Sequence, residues 1–289
     1  MTETATLSEA TRPATAGDSD TSQQLADIQN SFDERNVAID KVGVRNIRYP
    51  IVIMDRDRDA PQHTVGTIAM TVDLPHHFKG THMSRFLEVL NQYHGEISVT
   101  NLPEILETMC ERLDAETAHF KVDFTYFMTK SAPVTEAESL MGYECTFDAA
   151  AGADEDFVLS LVVPVTTLCP CSKEISARGA HNQRGEVRVA IRFDDQVWIE
   201  DLVRLVEDAA SCELYPLLKR PDEKYVTEKA YDNPRFVEDM VREVTIRLQR
   251  DERIRWFQVE VENFESIHAH NAYAFVERWV ERLDPAESG

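Results

Sequence analysis

The run Phe120-Lys-Val-Asp-Phe-Thr-Tyr-Phe-Met128 decides the fold class. Phe120, Val122, Phe124, Tyr126 and Met128 fall on one side of an extended chain, and Lys121, Asp123 and Thr125 on the other. Successive side chains of a strand point to opposite faces, so this alternation predicts a strand buried on one face only. The same reading holds further along. Val187, Val189, Ile191 and Phe193 alternate with Glu186, Arg188, Arg192 and Asp194, and Ile68, Met70, Val72 and Leu74 alternate within Thr64 to Leu74. Phe157 to Val163 is continuously apolar and reads as a buried strand, and Ile254 to Val261 as another.

Between these runs the spacing turns helical. Leu102, Ile105, Leu106, Met109 and Leu113 form one stripe, with Asn101 and Glu104 placed as a capping pair. Leu202, Leu205, Val206 and Ala209 form a second stripe. Val237, Met240, Val241, Val244 and Leu248 form a third, after a stop at Asn233–Pro234. A further helix starts at Ser84 to Leu90. Strands interrupted by paired helices predict an α+β architecture with antiparallel sheet. The order occurs about twice, which divides the chain into modules 39–155 and 156–284. Residues 1–38 are too poor in large apolar groups to offset the entropy of ordering, so a disordered N-terminal arm is expected. The tail 285–289 is expected to fray.

Composition narrows the function. A formal net charge of −22 argues against general nucleic-acid binding, which needs a basic surface. No apolar run approaches the ~20 residues of a membrane span, and the polar N-terminus lacks a signal-peptide core, so a cytoplasmic protein is expected. Five cysteines, odd in number and sparse, do not make a disulfide framework. They read as buried hydrophobes, metal ligands or nucleophiles.

One connection between strands is rich in chemistry: Thr166-Thr-Leu-Cys-Pro-Cys-Ser-Lys-Glu-Ile-Ser-Ala-Arg-Gly-Ala-His-Asn-Gln-Arg-Gly185. Cys169 and His181 offer a thiolate and an imidazole, donors that suit zinc or a similar divalent ion. Cys-Pro-Cys is too tight for easy chelation by both sulfurs, so one of Cys169 and Cys171 is expected to be a bystander. Glu223 reads as a carboxylate in a polar loop after a helix. His268 and His270 alternate in a segment read as extended, which points them to opposite faces. Glu238 sits in the first turn of the third helix, where a carboxylate also favours the helix dipole. Lys79 and Arg85, in Pro75-His-His-Phe-Lys-Gly-Thr-His-Met-Ser-Arg-Phe86, flank a glycine before a helix, a setting that could cradle phosphate.

Taken together these segments resemble the type IB GTP cyclohydrolases. The matching words are Lys-Gly-Thr-His-Met-Ser-Arg-Phe at 79–86, Leu-Cys-Pro-Cys-Ser-Lys-Glu-Ile-Ser at 168–176, Gly-Ala-His-Asn-Gln-Arg at 179–184 and Ile-His-Ala-His at 267–270. The resemblance covers roughly residues 38–284. It implies a tunnelling fold, with two tandem modules of antiparallel sheet and paired helices assembling into barrels, as a homotetramer with active sites at subunit interfaces. It implies one divalent ion per site, zinc, manganese or iron(II), held by Cys169, His181, Glu223 and His268. Cys169 would also be required for catalysis, with His268 and His270 as candidate proton carriers. Glu238 would grip the N–H edge of guanine, because a carboxylate accepts two parallel N–H bonds. Lys79, Arg85, Lys173, Arg178 and Arg184 are candidates for the triphosphate.

The implied reaction is hydrolytic opening of the guanine ring of GTP by metal-activated water, with loss of formate and closure to 7,8-dihydroneopterin triphosphate, the first step of tetrahydrofolate synthesis. Two other readings stay open at this point. One is a pterin or deazaguanine enzyme of the same fold with a nucleophilic cysteine. The other is a non-catalytic assembly protein with a structural metal.

Overall fold

The computed structural model describes residues 28–29, 31–56, 61–94, 97–98, 100–152 and 155–280. The expectations for residues 1–27 and for the tail 285–289 lie outside the described residues. Nine strands and six helices are laid out among them. The first half runs β1 (Ile39–Ile53), β2 (Gln62–Leu74), α1 (Met83–Gln92), α2 (Leu102–Leu113), β3 (Ala118–Ser131) and β4 (Glu138–Ala151). The second half runs β5 (Asp156–Leu168), α3 (Pro170–Ile175), β6 (Asn182–Phe193), α4 (Ile199–Glu207), β7 (Cys212–Glu213), α5 (Arg220–Asp232), α6 (Val237–Arg250), β8 (Ile254–Asn263) and β9 (Ala272–Trp279). Two strands, helices, two strands: the order recurs, where the hydrophobic pattern had indicated a recurring strand-and-helix order with fewer strands.

All strand pairings are antiparallel, in the order β1-β2-β3-β4-β5-β6-β8-β9, with the short β7 on β5. The two halves therefore share one continuous sheet, joined where β4 pairs β5 from Glu144↔Val162 to Ala150↔Asp156. The helices supply the other wall of a single core. Phe86 and Leu90 of α1, Ile105 and Met109 of α2, Val203 and Val206 of α4, and Met240 and Val244 of α6 are buried with the inward residues of β2 to β8. The alternation that opened the sequence reading is preserved. Phe120, Val122, Phe124 and Tyr126 are buried, while Lys121 and Asp123 on the opposite, helix-free face are exposed.

Two buried carboxylates interrupt this core. Glu200 and Glu207 lie seven residues apart on the inner side of α4, where apolar side chains would be the default. Tyr126 donates to Glu200 at 2.6 Å, and Tyr143 and Lys130 donate to Glu207 at 2.9 and 2.7 Å. Each charge is thus met by a donor from β3 or β4, which pins α4 in register on the sheet. The burial pushes Glu207 above the ordinary carboxylate range, with Lys130 pulling against it.

Several elements depart from the sequence reading. β1, β4 and β9 were not visible as strands. The pairing of β1 with β2 shifts register twice, between Ile39 and Val42 and between Val44 and Ile47, so its apolar residues lose strict alternation. Asn101 does not cap α2. It adopts a helical conformation, and its Oδ1 accepts the backbone N–H of Ser98 at 2.8 Å instead. Glu223 lies within a helix rather than a loop: Pro221 enters the first turn of α5, and Asp222 accepts the Lys219 N–H at 2.9 Å. The end of the segment read as an arm is tied down in part. The N–H of Asp33 bonds the carbonyl of His77, Lys79 bonds Ser31 and Gly80 bonds Gln29, each at 3.1 Å.

Candidate active site

The chemistry-bearing loop between β5 and β6 is a short helix in a hairpin. β5 and β6 pair from Leu159↔Ile191 to Leu168↔Asn182, and the chain then leaves the ladder at Cys169 and returns at His181. Both residues sit at the mouth of this pair, linked by a bond from the Cys169 N–H to the His181 carbonyl at 3.1 Å. Twelve residues apart in sequence, they are neighbours because α3 spans the gap. Pro170, just inside α3, needs no hydrogen-bond partner there.

Cys169 is the N-cap of α3, and its sulfur accepts the Ser172 N–H at 3.4 Å. That contact fixes the direction of the sulfur at the start of α3, at the mouth of the hairpin. Ser172 ties the loop together: its hydroxyl donates to the Cys169 carbonyl at 3.1 Å and accepts the His181 N–H at 3.2 Å. Three other cysteines are poor candidates. Burial pushes Cys110 and Cys145 up, and burial together with the Glu213 carboxylate pushes Cys212 up to about 12. Cys171 is exposed on α3.

His181 is held through its Nδ1. Gln183 Oε1 lies 3.0 Å away, Ser266 Oγ 3.4 Å and Glu265 Oε2 3.9 Å. The Gln183 nitrogen donates to the Thr167 hydroxyl at 2.9 Å, so the amide oxygen faces the ring. Nδ1 then donates, and in the neutral ring Nε2 is the nitrogen with the lone pair a metal needs. Gln183, Thr167, Ser172 and Glu265 were not singled out from sequence. One signal was available for Gln183: two residues from His181 at the start of a strand, it shares that residue's face.

The remaining candidates lie on other elements. Glu238 is exposed in the first turn of α6, as expected, and the Arg235 N–H just before α6 bonds the Leu168 carbonyl at 2.9 Å, which sets the start of α6 beside Cys169. Glu223 is exposed on α5. His268 and His270 are exposed in the turn between β8 and β9, and their rings stack, with centroids 5.3 Å apart and planes 21° apart. Opposite orientations were expected. The segment bends instead of running extended, so the alternation rule does not apply to it. Among the described residues no three His, Cys, Asp or Glu side chains converge as a metal site. The structure places Cys169 and His181 at one hairpin mouth, and Glu223 and His268 do not converge with them into a three-residue site.

The cations are distributed. Lys173 stacks over the Tyr231 ring at 4.4 Å and donates to the Tyr231 carbonyl. Arg178 and Arg184 are exposed at the mouth of the hairpin. Lys79 is exposed in the loop after β2, and Arg85 donates to the Arg112 carbonyl at 3.1 Å. Below the hairpin, Glu213 is half-buried. Burial alone would raise its pKa, but hydrogen bonds from Lys229 at 2.6 Å and Tyr215 at 2.5 Å together hold it at about 2.

With this arrangement in view, the relatives are informative. The family model for type I GTP cyclohydrolase folE2 matches residues 25–274. The chain belongs to that family. It is 59% identical over 253 residues to GTP cyclohydrolase FolE2 of Syntrophotalea carbinolica, a match covering 88% of this chain and 95% of that one. It is 59% identical over 254 residues to the protein of the same name from Magnetococcus marinus, covering 88% and 96%. For the protein of that name from Nitrosococcus oceani the figures are 56% over 255 residues, 88% and 95%. Among solved structures, a highly active BTUO mutant aligns with a TM-score of 0.50 at 9% identity, over 83% of this chain and 98% of that one. Urate oxidase of Bacillus sp. TB-90 aligns with a TM-score of 0.49 at 9% identity, over 84% and 100%. At 9% identity the likeness to the first of these concerns the fold alone. The chain of this folE2-family member has a tunnelling fold, as its sequence implied. No helix among the described residues is long and apolar enough to cross a membrane.

Proposed function

We propose that this chain is a GTP cyclohydrolase, a hydrolase of cyclic amidine C–N bonds. It opens the guanine ring of GTP, releases formate and yields 7,8-dihydroneopterin triphosphate, the first committed product of tetrahydrofolate synthesis. The observation that carries the reading is the prepared Cys169–His181 pair within a folE2-family chain.

The donor chemistry fits a divalent ion. A sulfur already accepting an amide N–H and an imidazole with Nδ1 tied off are two complementary ligands for zinc, iron(II) or manganese. Glu223 and His268 would complete the set. Both are exposed on other elements, which supports a site closed at a subunit contact of a homotetramer. When bound, such an ion supplies a water activated for attack near neutral pH. The chain's own groups do the rest. Glu238 accepts the N1 and exocyclic N–H groups of guanine and so orients C8 toward Cys169 and His181. His268 and His270 hold and return protons at the ring nitrogens as the C–N bonds break. Arg178, Arg184, Lys79, Arg85 and Lys173 offset the triphosphate charge, which a protein of net charge −22 would otherwise repel. The modules are residues 39–155 and 156–284, and the enzyme works in the cytoplasm.

The test is turnover of GTP by metal-stripped protein before and after adding Mn²⁺, Fe²⁺ or Zn²⁺. Formate and a fluorescent oxidised pterin should form only with metal, and Cys169→Ala should abolish both. Full activity without metal in the wild type would reject the activated-water chemistry.

A further inference from the structure

The Gln183–Thr167 pair lies behind His181, and nothing in the proposed reaction uses it. Gln183 is 7% exposed and Thr167 is fully buried. A buried amide costs free energy unless both its ends are bonded. Here both are: the nitrogen on Thr167 Oγ1 at 2.9 Å, the oxygen on His181 Nδ1 at 3.0 Å. The two residues face each other across the β5–β6 ladder, where Thr167 pairs with Gln183. The sheet register therefore fixes the amide, and the amide fixes the imidazole.

The alternatives at Nδ1 are weaker. Ser266 Oγ at 3.4 Å and Glu265 Oε2 at 3.9 Å approach from the bend after β8. Gln183 is the closest, and the only one of the three rooted in a paired strand. A neutral acceptor also suits the place. It directs the Nδ1 proton without adding a buried negative charge beside a thiolate and a polyanionic substrate.

We propose that Gln183, anchored by Thr167, is a positioning residue: it holds His181 in the Nδ1–H tautomer and one ring orientation, and so presents Nε2 to the metal. The inference rests on the reading of His181 as a metal ligand. Partners behind a ligating histidine are worth roughly 10–100-fold in metal affinity. Glutamine in this role keeps the hydrogen bond and leaves the charge count of the site unchanged.

The test is Co²⁺ affinity of the full-length protein, measured by competition with a chromophoric chelator, together with the cobalt–thiolate absorption band and the melting temperature of metal-free protein. Gln183→Leu should weaken Co²⁺ binding about 10–100-fold and alter the band, with the metal-free melting temperature little changed. Gln183→Glu keeps the acceptor, and Thr167 can donate to it, at the cost of a buried charge, so it should lose clearly less Co²⁺ affinity than Gln183→Leu. Thr167→Val, a smaller change, should give an intermediate loss. His181→Ala separates the two layers of the argument. If it weakens binding and Gln183→Leu does not, the positioning role is overturned while the ligand reading stands. If His181→Ala itself binds Co²⁺ like wild type, the ligand reading fails and the positioning role with it. Equal losses in Gln183→Leu and Gln183→Glu would also overturn the proposal, because the acceptor would then not be what matters.

Discussion

At the scale of single residues, the proposed site separates groups that would bind from groups that would react. Glu238 is exposed at the start of α6, and the charge-assisted pair proposed for it with guanine would be worth about 1.5–3 kcal/mol. Glu238→Gln should therefore lower kcat/KM for GTP by roughly 10–150-fold, as measured by initial rates of pterin formation, with the fold retained. Unchanged kinetics would remove Glu238 from the guanine contact. The residues proposed for the site were picked out in the sequence as residue types in matched words. Cys169, His181 and Glu238 stand out because a thiol, an imidazole and a helix-start carboxylate each have a definite chemistry. The residues that orient them were not legible. Ser172, Gln183 and Thr167 are common polar side chains, and only the meeting of β5 with β6 around α3 gives them a role. The stacking of His268 on His270 was misread for the same reason, because the segment's bends are set by its neighbours and not by its own alternation.

At the scale of elements, the buried polar contacts of α4 and the half-buried ones of β7 carry measurable stability. Lys130 and Glu207 are 12% and 9% exposed, so removing one partner strands the other charge. Lys130→Met should destabilise the fold by about 3–5 kcal/mol in urea unfolding. A change under about 1 kcal/mol, the scale of an exposed pair, would show that the pair is solvated. Glu213 gives a pH signature. Its pKa falls from an ordinary 4.5 to about 2 in the folded chain, so between these values the unfolded state binds more protons. The stabilisation is therefore complete above 4.5 and is lost as pH falls toward 2. Glu213→Gln should flatten the acid limb of a stability–pH curve, and an unaltered limb would contradict the assignment. Elements were legible where one face is strongly apolar, as in β3 and α2. They were hidden where the pattern is broken. β9 buries only small or partly covered residues, with Tyr273, Phe275 and Trp279 exposed on its other face. α3 and α5 are cued by prolines and caps instead of an apolar stripe.

At the scale of the molecule, the sheet ends on β1 and β9, each paired on one side only among the described residues. Open edges invite pairing with another copy. We predict a tetramer, four times the 33.0 kDa chain mass, by light scattering. Phe275→Lys on the edge strand should shift it toward smaller species and lower activity in parallel, and full activity in a monomer would exclude interface sites. The net charge of −22 adds self-repulsion that salt screens, so the melting temperature should rise with KCl. The duplicated strand-and-helix order was visible in the sequence, but the continuity of the sheet across β4 and β5 was not, because strand order is a property of long-range pairing.

The central claim is that C8 of guanine leaves as formate. GTP labelled with ¹³C at C8, followed by NMR in the presence of the metal-loaded protein, tests it most directly. The account predicts that the label moves from the nucleotide signal to formate, and that Cys169→Ala stops the transfer. A label that stays in the purine, or is retained in a product while GTP is consumed by the wild-type protein, would contradict it.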